Sequence, residues 1–251
     1  MLTSMTLSSW MQLNQDYLIM LIPALVAIAG GILAMIWNPS RQTRSLIQHF
    51  AAGVVLAALA VEVLPDIQGE YASGLVIITA FALGSLFMYT MKLWTLQLEA
   101  GTEQGASDHL SHGLVIATFV DIAVDGFIIG AGFAAGGQTG LILALGLSVE
   151  LLFLGLSLTA ENTKGWRILV LAVALGVTVL MFAVLGSWLL AGASHDMIAA
   201  ALAFSAAALL YLVTEELLIE AHEVEEKPIS TLVLFTGFLV FWSIQLLGNP
   251  I

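Results

Sequence analysis

"TFVDIAVDGFIIGAG" (Thr118–Gly132) places two acids, Asp121 and Asp125, inside an otherwise apolar run. Runs of this kind recur along the chain. Each is about 20 residues long, roughly what a helix needs to cross a ~30 Å hydrocarbon core, whereas an outer-membrane barrel would show alternating strands of ~10 residues. With 60% hydrophobic and 10% charged residues among 251, and a mean hydropathy of +1.02, the chain is too apolar for a soluble domain. The expected fold is an all-α integral membrane protein, a single domain over residues 1–251 with lipid around it. A net charge of −12 argues against nucleic acid as a partner. The absence of cysteine excludes disulfides, thiolate metal ligands and Cys nucleophiles. Met1–Asp16 lacks the basic flank of a cleavable signal peptide, so the first span is expected to be retained.

Eight spans are expected, at 18–37, 46–65, 72–94, 113–135, 139–160, 167–191, 197–219 and 229–248. Turn-forming stretches separate them: "NPSRQTR", "PDIQGE", "GGQTG" and "EKP". Only residues 96–112 form a longer loop, expected in the cytosol. Lys and Arg in short loops mark the cytoplasmic side. An eight-span topology puts Arg41, Arg44, Lys92, Lys164, Arg167 and Lys227 all inside and both termini outside, in the inner or plasma membrane of the cell.

Two internal similarities follow. "AVEVLPDI" (60–67) resembles "VTEELLIEA" (213–221) at an offset of 154 residues, pairing Glu62 with Glu216 and Asp66 with Glu220. "VDGFIIG" (124–130) resembles "VELLFLG" (149–155), pairing Asp125 with Glu150 and Gly130 with Gly155. The matched spans run in opposite directions, so the expected plan is 3+2+3 helices with inverted repeats, as in many secondary transporters.

A charged side chain at mid-bilayer costs ~2.5–3.5 kcal/mol on insertion scales and normally faces a cavity or a partner. Asp121, Asp125 and Glu150 fall near the middle of their spans, Glu62 and Asp66 toward the outer end of span 2, and Glu215, Glu216 and Glu220 toward the inner end of span 7. No basic residue sits at the central depth, which leaves protonation or a bound cation to offset the charge. Spacing favours a cation. Asp121 and Asp125, four residues apart on a helix, share a face with Cβ atoms roughly 5–6 Å apart. Glu150 faces them if the inverted pair packs together. Gly126, Gly130 and Gly132 permit close helix approach, and small-residue faces of this kind also permit a homodimer. Glu223, Glu225 and Glu226 read as a solvated face. His109 and His112, with Glu99, Glu103 and Asp108, read as a solvated loop, while His49 and His195 sit at membrane edges.

These residues resemble the ZIP (Zrt/Irt-like protein) family of metal transporters across all eight spans. "FAAGVVLAALAVEVLPD" (50–66) is similar to that family's second helix, and "YLVTEELLIEA" (211–221) to its seventh. In "DIAVDG" (121–126), Asp125 and Gly126 match the fourth-helix pattern His-Asn-x-x-Asp/Glu-Gly, while Asp121 and Ile122 replace its His and Asn. Glu150 matches the second acid of the fifth-helix His-Glu-x-x-x-Glu, with Gly146 and Leu147 in place of the first two residues. The resemblance implies an eight-helix bundle with a metal site between helices 4 and 5, carrying zinc, iron or manganese toward the cytosol. It implies no resident cofactor and no enzymatic step. Loss of the histidines turns an imidazole-and-carboxylate site into an all-carboxylate one, which suits magnesium, calcium and manganese better than zinc. The expected path runs from Glu62 and Asp66 through Asp121, Asp125 and Glu150 to Glu215, Glu216 and Glu220. Two other readings of the same acids are a proton-coupled carrier of another solute and an intramembrane carboxylate enzyme. The latter lacks a Gly-x-Gly-Asp or His-Glu-x-x-His motif.

Overall fold

The computed structural model describes residues 7–37, 39–102, 112–157, 166–222, 224 and 227–248. These are almost wholly helical, with no strand among them. In hydrocarbon every backbone N–H and C=O needs a partner within the protein, and a helix supplies them all from its own segment.

Eight helices are long and apolar enough to span a membrane. They are α1 (Leu7–Ile36), α2 (Arg41–Gly69), α3 (Gly74–Thr102), α4 (His112–Ala135), α5 (Gly137–Ser157), α6 (Trp166–Leu190), α7 (His195–Leu217) and α8 (Pro228–Gly248). A last turn, Leu218–Ala221, extends α7. The expected loop at 96–112 is shorter than its composition suggested. Helix α3 continues to Thr102 and α4 begins at His112, because a polar helix end leaving the bilayer still satisfies its own backbone. Residues 103–111, with Glu103, Asp108 and His109, lie outside the described residues, as do Lys164, Glu223, Glu225, Glu226 and the side chains of Glu99 and His112.

Helix α1 packs on α5 and α6, α6 on α4, and α4 on α5. Outside this group α2 packs on α5 and α7 on α4, with α8 laid against α2 and α3 against α7. Helix α5 is the most buried of the eight, and α3 and α8 are the most exposed, turning residues such as Leu75, Ile78, Leu232 and Phe235 outward. An outer ring of apolar faces is what lipid contact requires. Small residues set the close crossings. A Cβ on Gly155 would stand 2.8 Å from the Ala27 carbonyl oxygen and the Gly31 nitrogen of α1, and one on Gly130 would collide with the Ala183 carbonyl of α6.

Helices α2 and α7 are interrupted in the same way. Each opens on a serine cap: Ser40 accepts from the Thr43 N–H at 3.2 Å and Ser194 from the Met197 N–H at 3.3 Å. Each widens into a π turn two-thirds along, Leu59–Val63 in α2 and Leu212–Leu217 in α7. Those turns hold Glu62 in one helix and Glu215 and Glu216 in the other. A π turn inserts one residue into the helical phase, and such bulges are frequent at functional sites. Hydropathy does not register a one-residue phase shift, so neither turn was legible in the sequence.

Candidate metal centre

The acids in question come from four helices. Asp121 and Asp125 project from one face of α4. Glu150 meets them from α5, held against α4 because a single residue, Gly136, joins the two helices and forces an antiparallel pair. One carboxylate oxygen from each of the three lies within 4.8 Å of the others, and no other cluster of three or more ligand-bearing residues of this compactness occurs among the described residues. Asp125 is 2% exposed and Glu150 4%. Oδ2 of Asp125 is enclosed without a hydrogen-bond partner among the described residues. Neither ion pair found among those residues involves Asp121 or Asp125, and α4 and α5 carry no Lys or Arg. Burying an uncompensated charge costs several kcal/mol even after relaxation. Three converging acids therefore demand protons or a cation.

Toward the end of the bundle that carries the basic residues, a cavity of about 290 Å³ leads away from this cluster. Asp121 stands at its inner end, with Glu215, Glu216 and Tyr211 of α7 and Lys92 of α3 along its wall. Glu216 is within hydrogen-bonding reach of Asp121. Lys92 donates to Glu215 in an ion pair. That partner was not expected from the sequence, where Lys92 reads only as a topological marker; its place inside an apolar run, close to the level of Glu215, was the available signal. Glu220 lies on the last turn of α7, with its side chain outside the described residues.

At the opposite end a second cavity, about 500 Å³, is lined by Asp16, Gln138, Ile142, Phe241 and Gln245 among others. Glu62 is 7% exposed and accepts from Nε2 of Gln245 at 3.0 Å, and the same amide reaches the Val61 carbonyl at 3.1 Å. The π turn alters the local backbone pairing, and Gln245 of α8 bonds to it there. Asp66 accepts from the Thr139 hydroxyl in the first turn of α5. Glu62 and Asp66 are thus held by neutral donors. Between this cavity and the central acids, Ile142, Gly146 and Glu150 follow one another at four-residue spacing down one face of α5. Gly146 lies against Ala58 and Phe241, at 3.4 Å and 3.7 Å from a Cβ in its place. With Ile142, Val54 and Ala57 the side chains of Ala58 and Phe241 form an apolar cluster, of which Ile142 and Phe241 also line this cavity.

Seven of the eight acids singled out by sequence therefore fall into groups, the side chain of Glu220 lying outside the described residues. Asp121, Asp125 and Glu150 converge; Glu215 and Glu216 share a cavity with Asp121; Glu62 and Asp66 stand apart at the other end. Two histidines are less isolated than they read. His49 is buried, with its Nδ1 2.7 Å from the Ser45 carbonyl and its ring centroid 5.4 Å from that of His222. His195 meets Glu70 at 2.6 Å. The chain matches no protein-family model and no curated protein sequence.

Proposed function

We propose that the protein is a divalent metal cation transporter whose central site is the all-carboxylate cluster of Asp121, Asp125 and Glu150. The observation that carries this reading is their convergence within 4.8 Å in the bundle interior, with Asp125 Oδ2 enclosed and unpartnered among the described residues. A divalent cation relieves the mutual repulsion of three carboxylates and binds through oxygen. The chemistry of the donor set favours manganese, magnesium or calcium over zinc.

The inverted 3+2+3 plan and membership of the ZIP family belong to the same proposal. Supporting the plan, pairs 154 residues apart recur in matching roles: Ser40 and Ser194 cap α2 and α7, Phe50 and Phe204 offer their carbonyl oxygens to glycines of α8 and α3, and Glu62 and Glu216 sit in the two π turns. Helix α1 meets α5 as α6 meets α4, and α2 meets α8 as α7 meets α3. Rocking of the central helices against their flanks would expose the site alternately to the two cavities. Movement from Glu62 and Asp66 toward Glu215, Glu216 and Glu220, hence into the cytosol, rests on the family resemblance and on the placing of the basic residues.

Uptake of a panel of divalent ions into proteoliposomes tests the proposal. Asp125→Ala and Glu150→Ala are expected to reduce metal flux to background while the protein remains folded. Equal metal flux in wild type and both variants, or proton flux indifferent to metal, would overturn it. The second outcome would favour a proton-coupled carrier, a reading to which the adjacent Asp121 and Glu216 lend themselves. Asp121→His is expected to raise the zinc-to-manganese flux ratio.

A further inference from the structure

The cavity at the basic end is lined by three acids, Asp121, Glu215 and Glu216, and by a single cation, Lys92. Lys92 belongs to α3, one of the two most lipid-exposed helices. A lysine near the end of such a helix ordinarily extends its amine outward to the interface. Here the side chain turns into the bundle instead, and its ammonium is bound to Glu215. The next residue of the same π turn, Glu216, reaches Asp121, so the acids form a line from the centre to the mouth.

That line poses a difficulty for a protein that must let its cargo go. Conduction requires binding tight enough to admit an ion and weak enough to release it. Glu215 and Glu216 are adjacent and both face the cavity, so together they could chelate a divalent ion leaving Asp121. A fixed ammonium on one of them removes that option. The cation leaving the centre then meets Glu216, which already reaches Asp121, and retaining it at Glu215 as well requires displacing Lys92. Both members of the pair are half-buried and reachable from the cavity, so displacement is local and needs no rearrangement of the bundle.

Building on the transport reading above, we propose that Lys92 is a tethered counter-cation that occupies Glu215 at the cavity mouth and prevents the Glu215–Glu216 pair from retaining the transported ion. It acts through Glu215 and is a positioning residue, not a ligand. Its effect is directional, because Glu62 and Asp66, the path acids at the other end, are held by Gln245 and Thr139, which carry no charge.

The experiment is manganese and cadmium binding to the purified full chain in detergent, followed by release into excess chelator. Lys92→Met is expected to bind roughly three- to tenfold more tightly or to gain a second ion, and to release correspondingly slowly, a change on the scale of one half-exposed ion pair. Lys92→Met combined with Glu215→Gln is expected to lose that gain. Glu215→Gln alone, which leaves an unpaired ammonium in the cavity, is expected to release faster than wild type. Lys92→Arg keeps the charge and is expected to behave as wild type. Unchanged affinity, stoichiometry and release in Lys92→Met would overturn the proposal, as would slower release in Glu215→Gln, which reads out even where the lysine variant fails to fold. Binding insensitive to both Asp125→Ala and Glu150→Ala would instead overturn the central-site reading. No binding by wild type would overturn both.

Discussion

Helices α2 and α7 share a serine cap, a π turn and an acid within that turn, yet they meet their surroundings differently. In α2 the acid is Glu62, almost fully enclosed, and its partner is the neutral amide of Gln245 from α8. In α7 there are two acids, Glu215 and Glu216; they open onto a cavity, and one of them is bound by the ammonium of Lys92 from α3. The packing differs too. Helix α2 has Gly53 where α7 has Ala207, and α8 approaches α2 so closely that a Cβ on Gly53 or Gly237 would strike the backbone of the other helix. Across α3 and α7 a Cβ on Gly84 would stand 2.9 Å from the Phe204 carbonyl oxygen. The α2–α8 crossing is therefore the tighter of the two, and the acid of its π turn is held by a neutral donor; the α3–α7 crossing is looser, and one acid of its π turn is held by a charge. Similar local sequences acquire different electrostatics because different helices lie over them.

The comparison can be broken at several points. The largest effect is expected from removing the extra residue of a π turn. Deleting Ala60 removes the extra residue and closes the turn to α geometry with the flanking segments on their original faces, which returns the Val61 carbonyl to an intrahelical partner and takes away one of the two acceptors that hold Gln245 beside Glu62. The corresponding deletion of Val213 closes the turn that sets Glu215 and Glu216 together on the cavity wall. Both are expected to abolish metal uptake in proteoliposomes, and retained uptake in either would show that the turn positions nothing. Next, Gly237→Ala is expected to destabilise the detergent-solubilised protein by about 1–3 kcal/mol, the usual cost of overpacking, and Gly84→Ala by less, read from thermal unfolding. An equal loss would remove the asymmetry between the two packings.

A smaller change separates the acids themselves. Gln245→Leu leaves Glu62 enclosed without its amide donor, at an expected cost of about 1–3 kcal/mol in stability. Lys92→Met at the half-exposed pair is expected to cost about 1 kcal/mol or less. If chemical denaturation ranks them the other way, the outer acid is better solvated than its burial implies. The smallest effect is at the caps, where Ser40→Ala and Ser194→Ala should each lower stability by about 1 kcal/mol and by similar amounts, since their geometries match. A cap effect at only one helix would count against treating α2 and α7 as equivalent.

Much of the molecule was legible in the chain. The eight helices follow from runs of about 20 apolar residues, because a backbone in lipid has no other partner for its polar groups. The meeting of Asp121 and Asp125 follows from their four-residue spacing, and the short "GGQTG" turn brings α5 back alongside α4, so Glu150 was within reach. The Lys92–Glu215 pair was not legible, because it joins residues 123 apart on helices whose adjacency no local pattern encodes. The same holds for Gln245 on Glu62, for His49 beside His222, and for the apolar cluster that joins Ile142 to Phe241.

By itself the sequence determined that this chain forms eight helices long and apolar enough to cross a membrane and carries acids within them, since hydropathy and spacing are local properties written one span at a time. Tertiary structure decided which of those acids meet one another, which meet an amide and which meets an ammonium. The reason is that the helices other than the first half of α2 are apolar nearly all round, so hydrophobicity cannot choose their neighbours. Small residues at the crossings choose them instead, and the partner of each buried charge follows from that choice.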